Sequence, residues 1–375
     1  MSVSAVICEL NPLHNGHLRV MSEAKSDGSS LVLVMSGNFT QRAGCAICDK
    51  YARAKAAVEA GADLVLELPF PYSSAGAEYF AHAGVKIAEA AFADRLVFGS
   101  ESADETMLYR IADTVASEEY RRTFAEESAA DPASGAAAIR SRTLAKMIPG
   151  YPADRTEAPN DTLAAEYIRF ANIPCVPVKR INTMSASGLR RMSRGEMTPF
   201  IPDATARMLD EAASSDQKIL RDMLWRHIRI NGIPEDTAEC GGGLGDRMQR
   251  LARQESDADG FFTACATKRY TNSRILRAAL FAFLGVTEAD LSQMPRITTL
   301  LAATSRGCGI LSRMRKTDGL RIITKPADAE DIAGDDTAAV RQLDLTRRAD
   351  ELYTMLHSPA STADYFLTKS PYIEK

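Results

Sequence analysis

The 375-residue sequence has little net charge and no long apolar segment. A formal net charge of -4 is too small to mark a nucleic-acid-binding protein by itself, so any basic surface must be local. No stretch approaches the roughly 18 apolar residues that span a bilayer, and Met1 leads into a strand-like run without a basic leader. These absences argue against a membrane protein and predict a soluble, cytoplasmic one.

Cysteine is sparse, because only seven thiols, an odd number, are scattered through the chain. Small secreted domains are dense in paired cysteines, so this usage argues against a disulfide framework and predicts reduced thiols. Cys45 and Cys48 form a C-x-x-C pair between two predicted strands, in a context unlike the start of a thioredoxin. We interpret their spacing as coincidence rather than as a redox site.

Short apolar runs alternate with amphipathic stretches over the first half of the chain. The predicted strands are rich in Val, Ile or Leu and span residues 3–10, 31–36, 63–69, 95–100 and 173–179. Strands that alternate with helices indicate a doubly wound parallel sheet, so we predict an α/β domain over residues 1–195. A second domain is expected because the chain is longer than one hydrophobic core usually serves.

Residues 196–375 have a different pattern, in which apolar residues recur mainly at helical spacing. Only short strand candidates occur there, at 296–302 and 320–325. We therefore predict a mostly helical C-terminal domain. Within it, residues 239–246 predict a loop or tight helix entry, and the acidic residues 328–336 predict a solvated loop.

Two of the five histidines stand three residues apart directly behind the first predicted strand, in NPLHNGHL. Doubly wound sheets bind ligands beyond the carboxyl ends of their strands, where helix N-termini point N–H groups at anions. A helix that begins around His14 and His17 places both imidazoles near a bound polyphosphate, and Gly16 lets the nucleotide approach the backbone. We expect the imidazoles to stabilise a transferring phosphoryl group. The alternatives are a simple helix cap and a zinc site, although no third zinc ligand lies nearby.

Eight segments together resemble the tRNA(Met) cytidine acetate ligase family, within the nucleotidyltransferase superfamily that carries the HIGH motif. They are NPLHNGHL, VMSGNFTQRAG, DKYARAKAAVEAGADLVLELPF, AEYFAHAGV, LVFGSE, APNDTLAAEYI, VKRI and TKRYTNSRILRAAL. The resemblance covers most of the chain, whereas HNGH alone indicates only nucleotide binding. It implies that the nucleotidyltransferase-like N-terminal domain activates acetate with ATP. The acetyl group would then be transferred to N4 of the wobble cytidine of elongator tRNA(Met).

The resemblance also implies an ATP site made from four parts of the chain. These parts are residues 7–20, Gly99, Asn160 and Arg180. Within the first part the implied contacts are Ile7, Asn11, Pro12, His14, Asn15, Gly16, His17 and Val20. A side chain at Gly99 would collide with an adenosine lying across the sheet, and the Arg180 fork suits phosphates. The alternatives are an ordinary turn at Gly99, a helix N-cap at Asn160 and a surface ion pair at Arg180.

A second phosphate segment is implied by SASGLRRMSR, residues 185–194. Superfamily members hold the β- and γ-phosphates with a Ser-rich helix start and an arginine, which here would be Ser187 and Arg190. The chain departs from the family between Arg180 and Ser185, where a Gly- and His-containing segment is shortened to INTM.

The basic segment TKRYTNSRILR, residues 267–277, is the candidate RNA contact. Lys268, Arg269, Arg274 and Arg277 offer phosphate contacts, and Tyr270 offers a ring for stacking on an unpaired base. The alternative is an amphipathic core helix with solvated arginines. Residues 312–316 are a weaker candidate of the same kind.

The implied chemistry needs no protein nucleophile, because a carboxylate attacks the α-phosphorus of ATP and pyrophosphate leaves. Mg²⁺ would be bound mainly through the phosphates, with no dedicated metal site and no protein partner. Asn38, Gln41 and Arg42, which follow the second strand, are where acetate would be selected. Two rival functions stay open: a small-molecule nucleotidyltransferase without an RNA substrate, and a non-catalytic, nucleotide-dependent RNA-binding protein.

Overall fold

The computed structural model describes residues 2–152, 158–181, 184–357 and 359–374. The strands are β1 (Val3–Cys8), β2 (Ser30–Ser36), β3 (Leu64–Leu68), β4 (Arg95–Ser100), β5 (Cys175–Lys179), β6 (Ile297–Ala303), β7 (Arg321–Ile323) and β8 (Tyr372–Ile373). The helices of the first half are α1 (Asn15–Ala24), α2 (Lys50–Glu59), α3 (Ala77–Ala90), α4 (Glu105–Ala116), α5 (Glu118–Ala130), α6 (Ala136–Met147), α7 (Pro159–Phe170) and α8 (Ala186–Leu189). Those of the second half are α9 (Arg194–Met197), α10 (Asp203–Glu211), α11 (Gln217–Asn231), α12 (Leu244–Gln254), α13 (Ala258–Cys265), α14 (Asn272–Leu284), α15 (Glu288–Ser292), α16 (Ser305–Met314), α17 (Ala329–Ala333) and α18 (Thr337–Met355).

The strands form one sheet in the order β5-β4-β1-β2-β3-β6-β7, and β8 pairs with β6. Strands β1 to β5 are parallel, and β6 runs antiparallel to β3. The five strands predicted in the first half and the two candidates in the second are all present. The predicted α/β class with a doubly wound parallel sheet is confirmed.

Helices cover both faces of the sheet, which explains the continuous apolar runs of the central strands. Strands β1, β2 and β3 are buried along their whole length. Helices α1 and α2 lie on one face, whereas α3, α7 and α16 lie on the other. Gly84 lets α3 pack closely on β1, because a Cβ there would stand 2.8 Å from Cδ1 of Ile7.

The second half is mostly helical, as predicted, but its strands β6, β7 and β8 extend the sheet of the first half. The largest apolar cluster also draws residues from both halves. The boundary at residue 195 stays a prediction. A tight helix entry at 239–246 is observed, since α12 begins at Leu244 after Gly243 with φ +84°. No helix of the described residues is both long and apolar enough for a transmembrane span.

The prediction of a solvated loop at 328–336 is wrong for most of that segment. Residues 329–333 form the short helix α17. Ala329 and Ala333 are buried beside Ile297 and Ile323, and Ile332 packs against the same cluster. In the sequence, the acidic residues of this segment obscure the helical spacing of its apolar residues Ala329, Ile332 and Ala333.

Candidate active site

The order of the strands places a crevice between β1 and β4. From β1 the chain runs outward through β2 and β3, and it then returns to β4 and β5 on the other side of β1. Loops that leave β1 and β4 at their carboxyl ends therefore diverge, and α/β sheets bind ligands in such a gap. His14 follows β1, and Gly99 lies near the end of β4. The fold thus brings the predicted phosphate and nucleoside contacts to one edge.

His14 and His17 form a reciprocal cap at the start of α1. His14 is the N-cap residue, and its Nδ1 accepts a hydrogen bond from the Gly16 N–H at 3.0 Å. Nδ1 of His17 accepts one from the backbone N–H of His14 at 3.3 Å. The ring centroids are 3.9 Å apart. The pair does cap the helix, but capping uses only one nitrogen of each ring.

The other nitrogen of each ring is left for a ligand. Because each Nδ1 accepts a hydrogen bond, the neutral ring carries its proton on Nε2. Neither Nε2 has a hydrogen-bond partner within the part of the chain that the structure describes. Burial and the charge of Arg180 lower the pKa of His14 to about 4. Burial, His14 and Arg180 lower the pKa of His17 well below its usual value, so both rings are neutral N–H donors at pH 7.

Arg180, Gly99 and Val20 meet beside the histidines. Arg180 follows β5, and its N–H donates to the Ser100 carbonyl at 2.9 Å. A Cβ on Gly99 would lie 3.6 Å from Cγ of Arg180 and 3.8 Å from Cγ2 of Val20. Among the described residues, the Arg180 guanidinium forms no ion pair, which disfavours the surface ion-pair alternative. The site therefore combines the exposed cation of Arg180, the bare backbone of β4 at Gly99 and the apolar side chain of Val20.

Asn160 is not the N-cap of α7, because that position is Ala158. Its amide Nδ2 donates to Glu101 at 2.5 Å, and the same carboxylate accepts the N–H of Asp161 at 2.8 Å. Glu101 follows β4, so it fastens the loop after Gly99 to the start of α7. The N-cap interpretation of Asn160 is wrong, and its role in nucleotide binding stays a prediction.

The predicted phosphate segment at 185–194 lies against the loop before α1. Arg190 donates to the Asn11 carbonyl at 2.5 Å, and the Ser187 hydroxyl lies 3.1 Å from that of Ser185. Asn15 donates to the Pro199 carbonyl at 3.2 Å. The structure therefore brings Arg190 and Pro199 into contact with Asn11 and Asn15 of NPLHNGHL. The shortened link to Arg180 includes residues 182–183, which are outside the described residues.

The buried Asn38 cannot select acetate in this structure. It is 3 % exposed, its amide donates to Asp350 at 2.8 Å, and its Oδ1 accepts the N–H of Lys50 at 2.9 Å. These bonds use its polar atoms inside the protein. Gln41 donates through Nε2 to the Ala75 carbonyl at 3.3 Å, whereas Arg42 is exposed. Of the three predicted residues, Arg42 is the most exposed, and Gln41 is half-buried.

The candidate RNA segment has two exposed cations and a buried ring. Lys268 and Arg269 are exposed, but Tyr270 is only 7 % exposed and its hydroxyl donates to the Gly242 carbonyl at 2.5 Å. Stacking of Tyr270 on a base is therefore wrong for this conformation, because the ring belongs to the core. Arg274 is half-buried and donates to the Gly241 carbonyl at 2.9 Å. Arg277 is buried and paired with Glu239, so the prediction of a phosphate contact there is wrong for this conformation. The structure does not place this segment in contact with the histidines.

The cysteines are free, and all seven lie within the described residues. Burial raises the pKa of Cys45 to about 11 and that of Cys48 to about 12, which suppresses thiolate chemistry at neutral pH. Neither Cys45 nor Cys48 forms a disulfide in this structure. Over residues 2–152, 158–181, 184–357 and 359–374, no group of three His, Cys, Asp or Glu side chains is arranged to hold a metal ion.

Two buried cations of α2 are missed by sequence reasoning. Nζ of Lys50 contacts Glu67 at 2.8 Å and Asp350 at 2.7 Å, so it joins the sheet to α18. Arg53 is 1 % exposed. The signal available in the sequence is that both share a helical face with the small apolar residues Ala54 and Ala57, which are also buried. A charge on the apolar face of an amphipathic helix indicates an internal partner.

Comparison with known proteins identifies the family of this chain. The family model described as HIGH Nucleotidyl Transferase matches residues 1–365. The tRNA(Met) cytidine acetate ligase of Acetivibrio thermocellus is 31% identical over 95% of this chain and 95% of its own length. The chain belongs to the tRNA(Met) cytidine acetate ligase family. The predictions of this family and of an enzyme are thereby confirmed.

Other members of the family extend the likeness to the whole fold. The tRNA(Met) cytidine acetate ligase of Lactobacillus delbrueckii is 30% identical over 87% of this chain and 90% of its own length. The crystal structure of Thermotoga maritima TmcAL bound with alpha-thio ATP matches with a TM-score of 0.90. It is 28% identical, and the match covers 100% of this chain and 99% of that one.

Proposed function

We propose that this protein activates acetate with ATP to form acetyl-adenylate. It then acetylates N4 of the wobble cytidine of elongator tRNA(Met). The observation that carries the first step is the pair of neutral Nε2–H donors of His14 and His17 at the start of α1, beside Arg180. The names of the relatives, and the ATP analogue held by Thermotoga maritima TmcAL, support the choice of nucleotide and RNA.

In the first step an acetate oxygen attacks the α-phosphorus of ATP in line, and pyrophosphate leaves with the electrons of the broken P–O bond. His14 and His17 donate hydrogen bonds to the phosphoryl oxygens on which negative charge increases. Arg180 adds a fixed positive charge, and Ser187 and Arg190 contact the β- and γ-phosphates. A neutral ring whose proton is on Nε2 can donate one hydrogen bond from that nitrogen while its Nδ1 accepts the cap.

In this proposal the nucleoside lies over β4 at Gly99, where the backbone carries no side chain. Gly99 leaves room for the adenosine, and Val20 and the Asn160 loop border it. Mg²⁺ would offset the triphosphate charge. His14, His17 and Arg180 are hydrogen-bond donors and offer no oxygen ligand, which suits a metal ion held by phosphates and water. Ile7, Asn11, Pro12, Asn15 and Gly16 complete the nucleotide site.

In the second step the exocyclic amine of cytidine attacks the carbonyl carbon of the mixed anhydride. AMP leaves, and the nitrogen loses a proton. Lys268 and Arg269 supply exposed phosphate contacts for the tRNA, and Arg42 is the exposed member of the candidate acetate residues. Residues 1–195 thus activate the acid, and residues 196–375 contribute most of the RNA surface.

The test is acetate-dependent exchange of labelled pyrophosphate into ATP, with and without tRNA, followed by nucleoside analysis of the tRNA. We expect exchange without tRNA and N4-acetylcytidine only in elongator tRNA(Met). Exchange that needs a phosphate ester instead of acetate would identify a small-molecule nucleotidyltransferase. RNA binding without any exchange would identify a non-catalytic binding protein, and either result would contradict the proposal.

A further inference from the structure

Arg53 is a buried cation whose partners are backbone carbonyls. Within the described residues it forms no ion pair with a carboxylate. Its Nε donates to the Cys48 carbonyl at 3.0 Å, and Nη1 donates to the Glu9 carbonyl at 2.6 Å. Nη2 donates to the Ser36 carbonyl at 3.1 Å and to the Gly37 carbonyl. One guanidinium therefore holds four carbonyl groups.

These carbonyls belong to three segments at the carboxyl edge of the sheet. Glu9 follows β1, Ser36 ends β2 with Gly37 directly after it, and Cys48 precedes α2. The Glu9 carbonyl is on the segment that leads from β1 directly to His14. The side chain of Glu9 also accepts the N–H of Gln41 at 2.9 Å, so this residue is held from two sides. A movement of Glu9 would displace the start of α1.

We propose that Arg53 is a positioning residue for the adenylation step. Its planar fork fixes the chain between β1 and α1, so that the Nε2 atoms of His14 and His17 point at the reacting phosphate. A lysine cannot replace it fully, because an ammonium is a point donor without the geometry of a fork. The four carbonyl dipoles, together with the nearby negative charges of Asp49 and Glu9, offset the cost of burying the charge.

The sheet contains a matched control at its opposite edge. Arg95 lies at the amino end of β4, where Nε donates to the Ser4 hydroxyl at 2.8 Å and Nη2 donates to the Ala24 carbonyl at 3.2 Å. It is also an arginine that fastens a strand to a neighbouring segment, but it fastens the edge away from His14. Arg95 also pairs with Asp27 at 2.9 Å and contacts α1 only at Ala24, its last residue, so its replacement costs stability at the end of α1 away from the histidines.

The experiment compares Arg53→Ala, Arg53→Lys and Arg95→Ala in the acetate-dependent pyrophosphate exchange assay, and it rests on the proposed function. Misplacement of a reacting group by about 1 Å costs on the order of 10²-fold in rate, so we expect this loss of kcat for Arg53→Ala. A smaller loss is expected for Arg53→Lys. Millimolar guanidinium should restore much of the Arg53→Ala rate by filling the vacated site, whereas methylammonium should not. Arg95→Ala should keep the wild-type kcat.

Three results would overturn this inference. They are an unchanged kcat in both Arg53 variants, a loss that guanidinium and methylammonium restore equally, and an equal loss in Arg95→Ala. If Arg53→Ala does not fold, Arg53→Lys decides, because a wild-type kcat in that variant contradicts a need for the fork. If the wild type shows no acetate-dependent exchange, the proposed function fails. ATP titrations of the Arg53 variants then test the placement separately, and unaltered affinity contradicts it.

Discussion

The His14–His17 crevice and the 267–277 segment are both predicted phosphate sites, but they are built in opposite ways. The histidines are neutral and pinned by backbone hydrogen bonds at the start of a helix. Lys268 and Arg269 are charged, exposed and free of such caps. A pinned neutral donor acts at one point and resists screening by salt, whereas exposed cations attract a polyanion over a distance and weaken as salt rises. The first arrangement suits a reaction, and the second suits RNA capture.

Arg277 connects the two regions. Its Nη1 donates to the Gln41 carbonyl at 3.1 Å, and its Nε contacts Glu239 at 2.9 Å. Glu239 also lies 3.8 Å from Nε of Arg274. Arg277 thus joins the loop after β2 to α14, the helix that follows Lys268, although the proposed tasks of the two regions differ.

The largest expected effect comes from separating the cap from the donor in His14. His14→Asn keeps a good N-cap but removes the Nε2 donor, so its stability should stay near wild type. We expect it to lose on the order of 10²-fold in the exchange rate, by analogy with single oxyanion donors. His14→Ala should lose the same rate and also about 1 kcal/mol of stability. His17→Ala should lose a similar factor in rate.

His227 provides the control for the histidine variants. It lies on α11 beside Phe283, away from the crevice, so His227→Asn should exchange pyrophosphate at the wild-type rate. If His14→Asn is fully active while His14→Ala is only less stable, the pair is a helix cap and nothing more. That outcome would erase the contrast between the two regions.

The second effect concerns salt and RNA. Lys268→Ala combined with Arg269→Ala should weaken tRNA binding and flatten the log-log salt dependence by roughly 0.7 to 0.9 for each RNA phosphate that is no longer neutralised. Acetyl-adenylate formation should stay near wild type, and Arg180→Ala should show the reverse pattern. Filter binding across several salt concentrations measures the first property, and pyrophosphate release measures the second. A triple variant that also carries Arg274→Ala would be harder to interpret, because Arg274 donates to the Gly241 carbonyl and its loss also affects the folded protein.

An unchanged affinity and slope in the double variant would show that these cations are merely solvated. The RNA surface would then be sought first at 312–316. There Arg315 is bonded to Thr324 at 2.9 Å and Arg313 lies over Phe92, which makes that segment less available than Lys268.

The third effect is a dependence of stability on pH. The folded pKa of His14 is about 4, below the unfolded value of about 6.5, so the unfolded chain binds the proton first as the pH falls. The stability contributed by the neutral ring is therefore complete above pH 6.5 and decreases toward pH 4. We expect the unfolding free energy of the wild type to fall relative to His14→Asn by about 2 kcal/mol between pH 7 and pH 5. Urea unfolding measures this difference. If the difference in unfolding free energy between the wild type and His14→Asn is the same at pH 7 and pH 5, the neutral state of the folded His14 ring is contradicted.

The smallest expected effect is that of the cysteine pair. Cys45→Ala combined with Cys48→Ala should keep the wild-type exchange rate, since both thiols are buried and have raised pKa values. Thiol titration of the wild-type protein, unfolded without reductant, should find no disulfide. Loss of activity on mild oxidation that reductant reverses, and that the double variant lacks, would reveal a switch.

The sequence predicts the sheet well because each central strand is buried on both faces and appears as a continuous apolar run. Strands β6 and β7 are also visible in the sequence, but their place beside β3 is not. Register and neighbour depend on contacts between distant segments, such as the bond from the Thr298 hydroxyl to the Glu67 carbonyl at 2.7 Å. Local periodicity carries no information about such a long-range bond.

The candidate site, like the sheet, is predictable from the sequence only in part. The position of His14 and His17 follows from one motif behind one strand, but the orientation of each ring depends on the cap that only the structure displays. Asn38 and Tyr270 are polar or amphipathic residues in polar segments, so the sequence suggests exposure. Their burial is caused by partners far along the chain, Asp350 and Gly242.

The most direct test of the contrast between the two regions is acetate-dependent pyrophosphate exchange without tRNA. It compares the wild type, His14→Asn and the Lys268→Ala, Arg269→Ala double variant at equal folded concentration. We predict equal exchange by the wild type and the double variant, and a loss on the order of 10²-fold in His14→Asn. Wild-type exchange by His14→Asn, or an equal loss in the double variant, would contradict the assignment of activation to the histidine crevice alone.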